Sequence, residues 1–190
     1  LHSLDIRQRQ MCISARAKEI HEQPAVLGHT FGHYLDLSSE TVRIAEAAAI
    51  DFKRAGRISI SACGTAFYAG LVGRYWFERL ARMPVDIDIA SEFRYREPPI
   101  PSRTLALFVS QSGETADTLA ALRYCAPHAT IASVVNVAES SIARASQIAL
   151  PILAGTEIGV ASTKAFTCQL TVLFLLALKA AQDRGTLTSA

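Results

Sequence analysis

Between residues 58 and 181 the chain alternates short strand-like runs with stretches of helical character. Residues 58–62, 85–90, 105–109, 130–135 and 148–153 read as strands, and 66–81, 116–125, 141–145 and 162–181 as helices. The apolar run at 105–109, without polar alternation, suits a strand covered on both faces, and the strand-helix alternation returns the chain so that the strands lie parallel. This rhythm predicts an α/β fold, a doubly wound five-stranded parallel sheet of order 2-1-3-4-5 flanked by helices.

Upstream, residues 17–55 read as helical, with an interruption between Gly28 and Gly32 and a new cap at Ser38 or Ser39 ahead of residues 41–48. Gly56 ends that segment. Residues 1–17 lack a signal-peptide core and read as a leader, disordered or foreign to the fold, so that 18–190 forms a single domain. A length of 190 residues with 50% hydrophobic content suits one substantial core. The proline-rich stretch 97–102 interrupts no rhythm and reads as a loop.

With 19 basic and 17 acidic side chains the net charge is only +2, which disfavours a surface built for nucleic acid. Residues 1–56 carry seven of each sign, so no basic DNA-binding segment precedes the sheet. Cys12, Cys63, Cys125 and Cys168 are too scattered for a zinc site or a disulfide scaffold, and imply a reducing, cytoplasmic setting. The apolar run 170–178 is about half a bilayer span and is expected in a core, so no membrane partner is implied.

Two junctions carry the chemistry. The first strand runs into Cys63-Gly64-Thr65, and the third into Ser110-Gln111-Ser112-Gly113-Glu114-Thr115, each followed by a helix. In a 2-1-3-4-5 sheet these strands are neighbours and their chains leave toward opposite faces, opening a crevice between the two loops. Helix N-termini present free N–H groups and the positive end of the dipole, so an anion such as a phosphate is the natural occupant. Neither loop matches G-x-G-x-x-G or G-x-x-x-x-G-K-[ST], which disfavours a dinucleotide or a nucleoside triphosphate, and no cofactor or metal is implied. Capping by the same Ser and Thr residues is the plain alternative.

These motifs resemble the sugar isomerase (SIS) domain family. Arg74-Tyr75-Trp76-Phe77-Glu78, residues 90–96 and residues 154–166 are similar to the first SIS domain of the glucosamine-6-phosphate synthase family, the isomerising glutamine:fructose-6-phosphate amidotransferases. Lys18-Glu19-Ile20-His21-Glu22-Gln23-Pro24 resembles the segment leading into that domain. The resemblance implies that Thr65, Ser110, Gln111, Ser112 and Thr115 hold the phosphate and nearby hydroxyls of fructose 6-phosphate or glucosamine 6-phosphate, and that Val160 and Ser162 line the sugar. It further implies a homodimer through this domain, and a glutaminase domain and second SIS domain outside the chain. The family's isomerase carboxylate, histidine and lysine come chiefly from that second domain or a partner subunit, so no catalytic residue is assigned here. One position departs: Ala66 stands where these enzymes commonly carry Ser.

Other residues read as structural. Cys63 is expected as a small core residue, Glu114 and Asp117 as first-turn acids of the following helix, Lys164 as solvated, and Glu157 as a loop residue or a polar contact to substrate. His29 and His33 at i, i+4 make a poor metal pair, and residues 93–96 are expected to pack at a strand end. Two other functions remain open at this point: a sugar-phosphate sensing module of a regulator, and a stand-alone sugar-phosphate isomerase.

Overall fold

The computed structural model describes residues 2–36, 38, 39, 41–159 and 162–187. Five parallel strands form the main sheet: β3 (Arg57–Ala62), β4 (Val85–Ile89), β5 (Thr104–Ser110), β6 (Thr130–Val135) and β7 (Ile148–Pro151). Their spatial order, β4-β3-β5-β6-β7, is the 2-1-3-4-5 order that the rhythm predicts. The helices are α1 (His2–Tyr34), α2 (Gly64–Leu80), α3 (Ala90–Arg96), α4 (Ala116–Cys125), α5 (Ser141–Ala145) and α6 (Lys164–Arg184).

The sheet separates two cores. Along β5, Leu105, Leu107 and Val109 point into the layer of α1, α2 and α6, while Ala106 and Phe108 point into the layer of α3, α4 and α5. This alternation of two apolar faces explains why β5 is buried at every position. On length and composition α6 could cross a bilayer. Here its apolar faces pack against α1, α2 and the sheet, with Leu173, Leu175, Leu176 and Ala177 buried.

The upstream region departs from expectation. α1 is continuous through Gly28 and Gly32, where an interruption was predicted. A helical glycine costs about 1 kcal/mol relative to alanine, and tertiary contacts outweigh it: Thr30 Oγ1 donates to Ile152 O at 2.7 Å and Tyr34 Oη to Pro151 O at 2.7 Å. Pro24 also sits inside this helix. The Ile20 carbonyl that its missing N–H would have satisfied accepts instead from Gln23 Nε2 at 3.1 Å. Residues 2–17 of the stretch expected as a leader fall within α1.

The helix expected at 41–48 is replaced by a two-stranded ribbon, β1 (Leu35–Asp36) with β2 (Thr41–Val42), and a 3₁₀ turn at Glu46–Ala49. Asp36 Oδ1 takes bonds from Ser38 N at 3.0 Å and Ser38 Oγ at 2.5 Å, closing a turn where a helix cap was read. Residues 93–96 lie in α3, which follows the end of β4 directly, with Phe93 buried and Arg96 paired to Asp88 of β4 at 2.6 Å.

Candidate functional site

The pairing of β3 with β5 sets Ala62 beside Val109, so the two polar junctions emerge side by side at the carboxyl edge of the sheet. At the first, Cys63 is extended and Gly64 turns the chain into α2 with φ +59°, a conformation that suits glycine. At the second, Gly113 adopts φ +67° before Thr115 opens α4. A cleft of about 420 Å³ lies between them. Thr65, Ser110, Gln111, Ser112, Thr115 and Ser162 all line it, together with Cys63, Ala66, Glu157, Gly159 and Gln169. Val160 lies outside the described residues.

Capping does not account for these hydroxyls. No described side chain caps α2 or α4, nor the short α3 that follows β4, whereas α5 and α6 are closed at this edge. Ser140 Oγ accepts from Ala143 N at 3.4 Å in α5, and Glu157 Oε1 accepts from Thr163 N at 2.8 Å and Ala165 N at 3.2 Å at the start of α6. Of the open helix ends, α3 starts away from the cleft, and α2 and α4 are the two that border it.

The Ser-rich loop is tied together through its oxygen lone pairs. Ser110 Oγ accepts from Gly113 N at 3.0 Å and pairs with Thr115 Oγ1 at 3.1 Å, while Ser112 Oγ accepts from Glu114 N at 3.2 Å. A hydroxyl that accepts such a bond still has its O–H to donate. Ser112 is exposed to the cleft and Ser110 is buried beneath it, so the loop combines a rigid base with a free donor.

The acids here serve the scaffold. Both oxygens of Glu157 are occupied, Oε2 accepting from Ser162 Oγ at 3.2 Å, so this carboxylate orients a cleft residue and starts α6. Asp117 pairs with Arg94 at 2.8 Å. Glu114 does not serve its own helix: Oε1 accepts from Ser141 N at 2.7 Å and completes the start of α5. That bond, with the Ser141 side chain and the nearby Arg144 charge, holds the Glu114 carboxyl below its ordinary 4.5.

A depressed folded-state value means that the contribution is present above the ordinary value and is lost as pH falls through the lower one. Urea unfolding of wild type and Glu114→Gln should therefore differ at about pH 6, with the gap closing as pH drops below 4.5. A gap independent of pH would remove Glu114 from this role.

Lys164 is the clearest correction. It is 4% exposed, and its Nζ binds Glu22 Oε2 of α1 at 2.8 Å instead of solvent. Close by, Glu19 is 3% exposed and its Oε1 accepts from Ile158 N at 2.6 Å and Gly159 N at 2.8 Å. Two acids one helical turn apart on α1 thereby clamp the segment leading to Ser162. Sequence reasoning did not find this clamp, because nothing local links residue 19 to residue 158. Gln169, a lone amide in an otherwise apolar helix face, was a signal that could have been read.

Beyond Gln111 and Glu157 a wider recess of about 750 Å³ opens, lined also by His29, Asn136, Gly155 and Thr156. Asn136 spans its wall, donating to Gly155 O at 2.7 Å and accepting from Ala154 N at 3.0 Å. Cys125 and Cys168 lie buried in the cores; burial pushes the Cys125 thiol up to about 11 and raises that of Cys168 as well.

Comparison with known proteins agrees with this geometry. The SIS domain model matches residues 51–179. The chain is 60% identical over 172 residues to a glutamine–fructose-6-phosphate aminotransferase (isomerizing) of Mesorhizobium japonicum, covering 90% of this chain and 28% of that protein. It therefore spans a little over a quarter of the length of such relatives. Among solved structures, the C-terminal domain of glucosamine-fructose-6-phosphate aminotransferase from Francisella tularensis superposes with a TM-score of 0.85 at 40% identity, covering 92% of this chain and 49% of that one. A glucosamine-6-phosphate deaminase from Thermotoga maritima gives 0.72 at 25% identity, covering 88% and 49%. The sheet order, the cleft between the first and third strands, and a family match over most of the sequence place this chain in the SIS domain family.

Proposed function

We propose that this chain is the sugar-phosphate-binding SIS domain, the first of two, from the isomerase region of a glutamine–fructose-6-phosphate aminotransferase, and that its cleft takes fructose 6-phosphate or glucosamine 6-phosphate. The observation that carries the reading is the pair of uncapped helix N-termini, α2 and α4, opening on one hydroxyl-lined cleft. In such a seat the N–H groups and the Ser112, Thr65 and Thr115 hydroxyls hold the phosphate, while Gln111 and Ser162 face the sugar. Val160 completes the sugar side by the family resemblance. The backbone N–H of Ala66 remains available where the relatives commonly add a hydroxyl.

The lining supplies donors but no free acid–base pair among the described residues, since both Glu157 oxygens are committed. Proton transfer between the first two sugar carbons then falls to groups from a second SIS domain or a partner subunit, reaching the sugar from the wide recess past Gln111. The chain on its own is inactive in this reading. A homodimer would cover the exposed α2 face at Tyr68, Val72 and Tyr75, and the enzyme would work in the cytoplasm.

Calorimetry with fructose 6-phosphate tests the seat. A hydrogen bond to a charged group contributes about 1.5–3 kcal/mol, so Ser112→Ala should weaken binding by roughly ten-fold to over a hundred-fold. Equal affinity of the two proteins would dismiss Ser112 as a phosphate ligand.

A further inference from the structure

Gln169 lies in the second turn of α6, and its side chain lines the cleft beside Thr65 and Ala66 with only 1% of its surface exposed. Its Oε1 is buried and receives no hydrogen bond. Neighbouring polar groups on the same helix are satisfied: Lys164 Nζ by Glu22, and Thr171 Oγ1 by Thr167 O at 3.0 Å. The other unpartnered buried side-chain atoms among the described residues, on Glu19, Arg57, Ser61, Thr118 and Ser133, belong to residues that do not line the cleft. A buried amide oxygen without a donor is costly, and such groups in folded proteins are normally paired.

We propose that Gln169 is a ligand-binding residue whose Oε1 accepts a hydroxyl of the sugar held in this cleft. The inference rests on the cleft being a sugar-phosphate site and assigns a further residue to it. Donor and acceptor logic selects the sugar end of the ligand. A phosphate dianion has acceptors only, so it cannot satisfy Oε1, whereas a sugar hydroxyl donates to the oxygen and can accept from Nε2. None of the hydroxyls that line the cleft, on Thr65, Ser110, Ser112, Thr115 and Ser162, donates to Gln169 Oε1, so this oxygen is left for a ligand.

Gln169→Met keeps the length of the side chain and removes both polar atoms. Fructose 6-phosphate should then bind roughly three- to ten-fold more weakly, the loss of one neutral hydrogen bond. Inorganic phosphate, the probe for the seat alone, should bind as it does to wild type. The melting temperature of the free protein should hold or rise, because an unsatisfied amide has been replaced by an apolar group. Gln169→Glu, isosteric with the native residue, should weaken both probes by adding negative charge. Unchanged fructose 6-phosphate affinity in Gln169→Met overturns the proposal, and so does a lowered melting temperature with equal losses for both probes, which marks a structural residue. Failure of wild type to bind either probe would instead reject the sugar-phosphate reading itself.

Discussion

Gly113→Ala should lower the stability of the chain by about 2–5 kcal/mol, the combined cost of a left-handed L-residue and of overpacking. Gly113 holds φ +67°, and a Cβ there would stand 2.0 Å from Ser140 Oγ and 2.4 Å from Ser140 Cβ. Ser140 is 2% exposed and caps α5, while Ile142 N donates to Gly113 O at 3.0 Å, so neither partner can withdraw without opening the start of that helix. In a domain of this size the melting temperature should fall by roughly 4–20 °C. Ser140→Gly in the same chain removes both clashing atoms and should restore the part due to overlap, leaving the left-handed cost and the lost cap. A Gly113→Ala protein that unfolds at the wild-type denaturant concentration would refute this account. What Gly113 makes room for is Ser140, the cap of a neighbouring helix.

Glu19→Ala is expected to cost about 3 kcal/mol, two hydrogen bonds to a charged acceptor at the low end of their range. The carboxylate is 97% buried by its 3% exposure and holds Ile158 N and Gly159 N through a single oxygen. Removing it leaves two backbone donors without their acceptor and frees the segment that carries Ser162 into the cleft. Affinity for fructose 6-phosphate should fall along with stability, and the Ile158 and Gly159 amides should exchange with solvent much faster. Because Oε2 makes no hydrogen bond, Glu19→Gln keeps the working oxygen and should lose less than half as much. Slow exchange at both amides in Glu19→Ala would show that the segment is held by something else.

These two positions divide the chain between what is local and what is not. The sheet order was legible because the strand-like runs recur between helical stretches, β5 being apolar from Leu105 to Val109, and because the two polar junctions carry their own turn chemistry, as at Cys63-Gly64-Thr65. Of the helices that stand on the sheet, α2, α4, α5 and α6 were legible for the same reason, whereas the short α3, which follows β4 without an intervening turn, was not. Errors gathered upstream of β3, where intrinsic preference is weak: α1 runs through Gly28, Gly32 and Pro24 because Thr30 and Tyr34 anchor it to the end of β7, and residues 41–48 turn away from helix because Asp36 closes a turn with Ser38. In both, contacts between distant residues outweighed local propensity.

The cleft shows the same division. That Thr65 converges with Ser110, Gln111, Ser112 and Thr115 follows from their place at the ends of neighbouring parallel strands, and was readable from strand order, whereas Ser162 was placed there by the family resemblance. Whether their hydroxyls close helices or face a ligand was not readable, since a Ser beside a helix start serves either purpose until its bonds are known. Only the folded chain shows α2 and α4 uncapped, Lys164 drawn from solvent to Glu22, Glu19 closed over Gly159 and Gln169 left without a partner at the cleft wall. Periodicity and turn chemistry are properties of neighbours in the chain, so the sequence states them directly. Hydrogen-bond partnership between residues more than a hundred positions apart exists only once the sheet has brought them together.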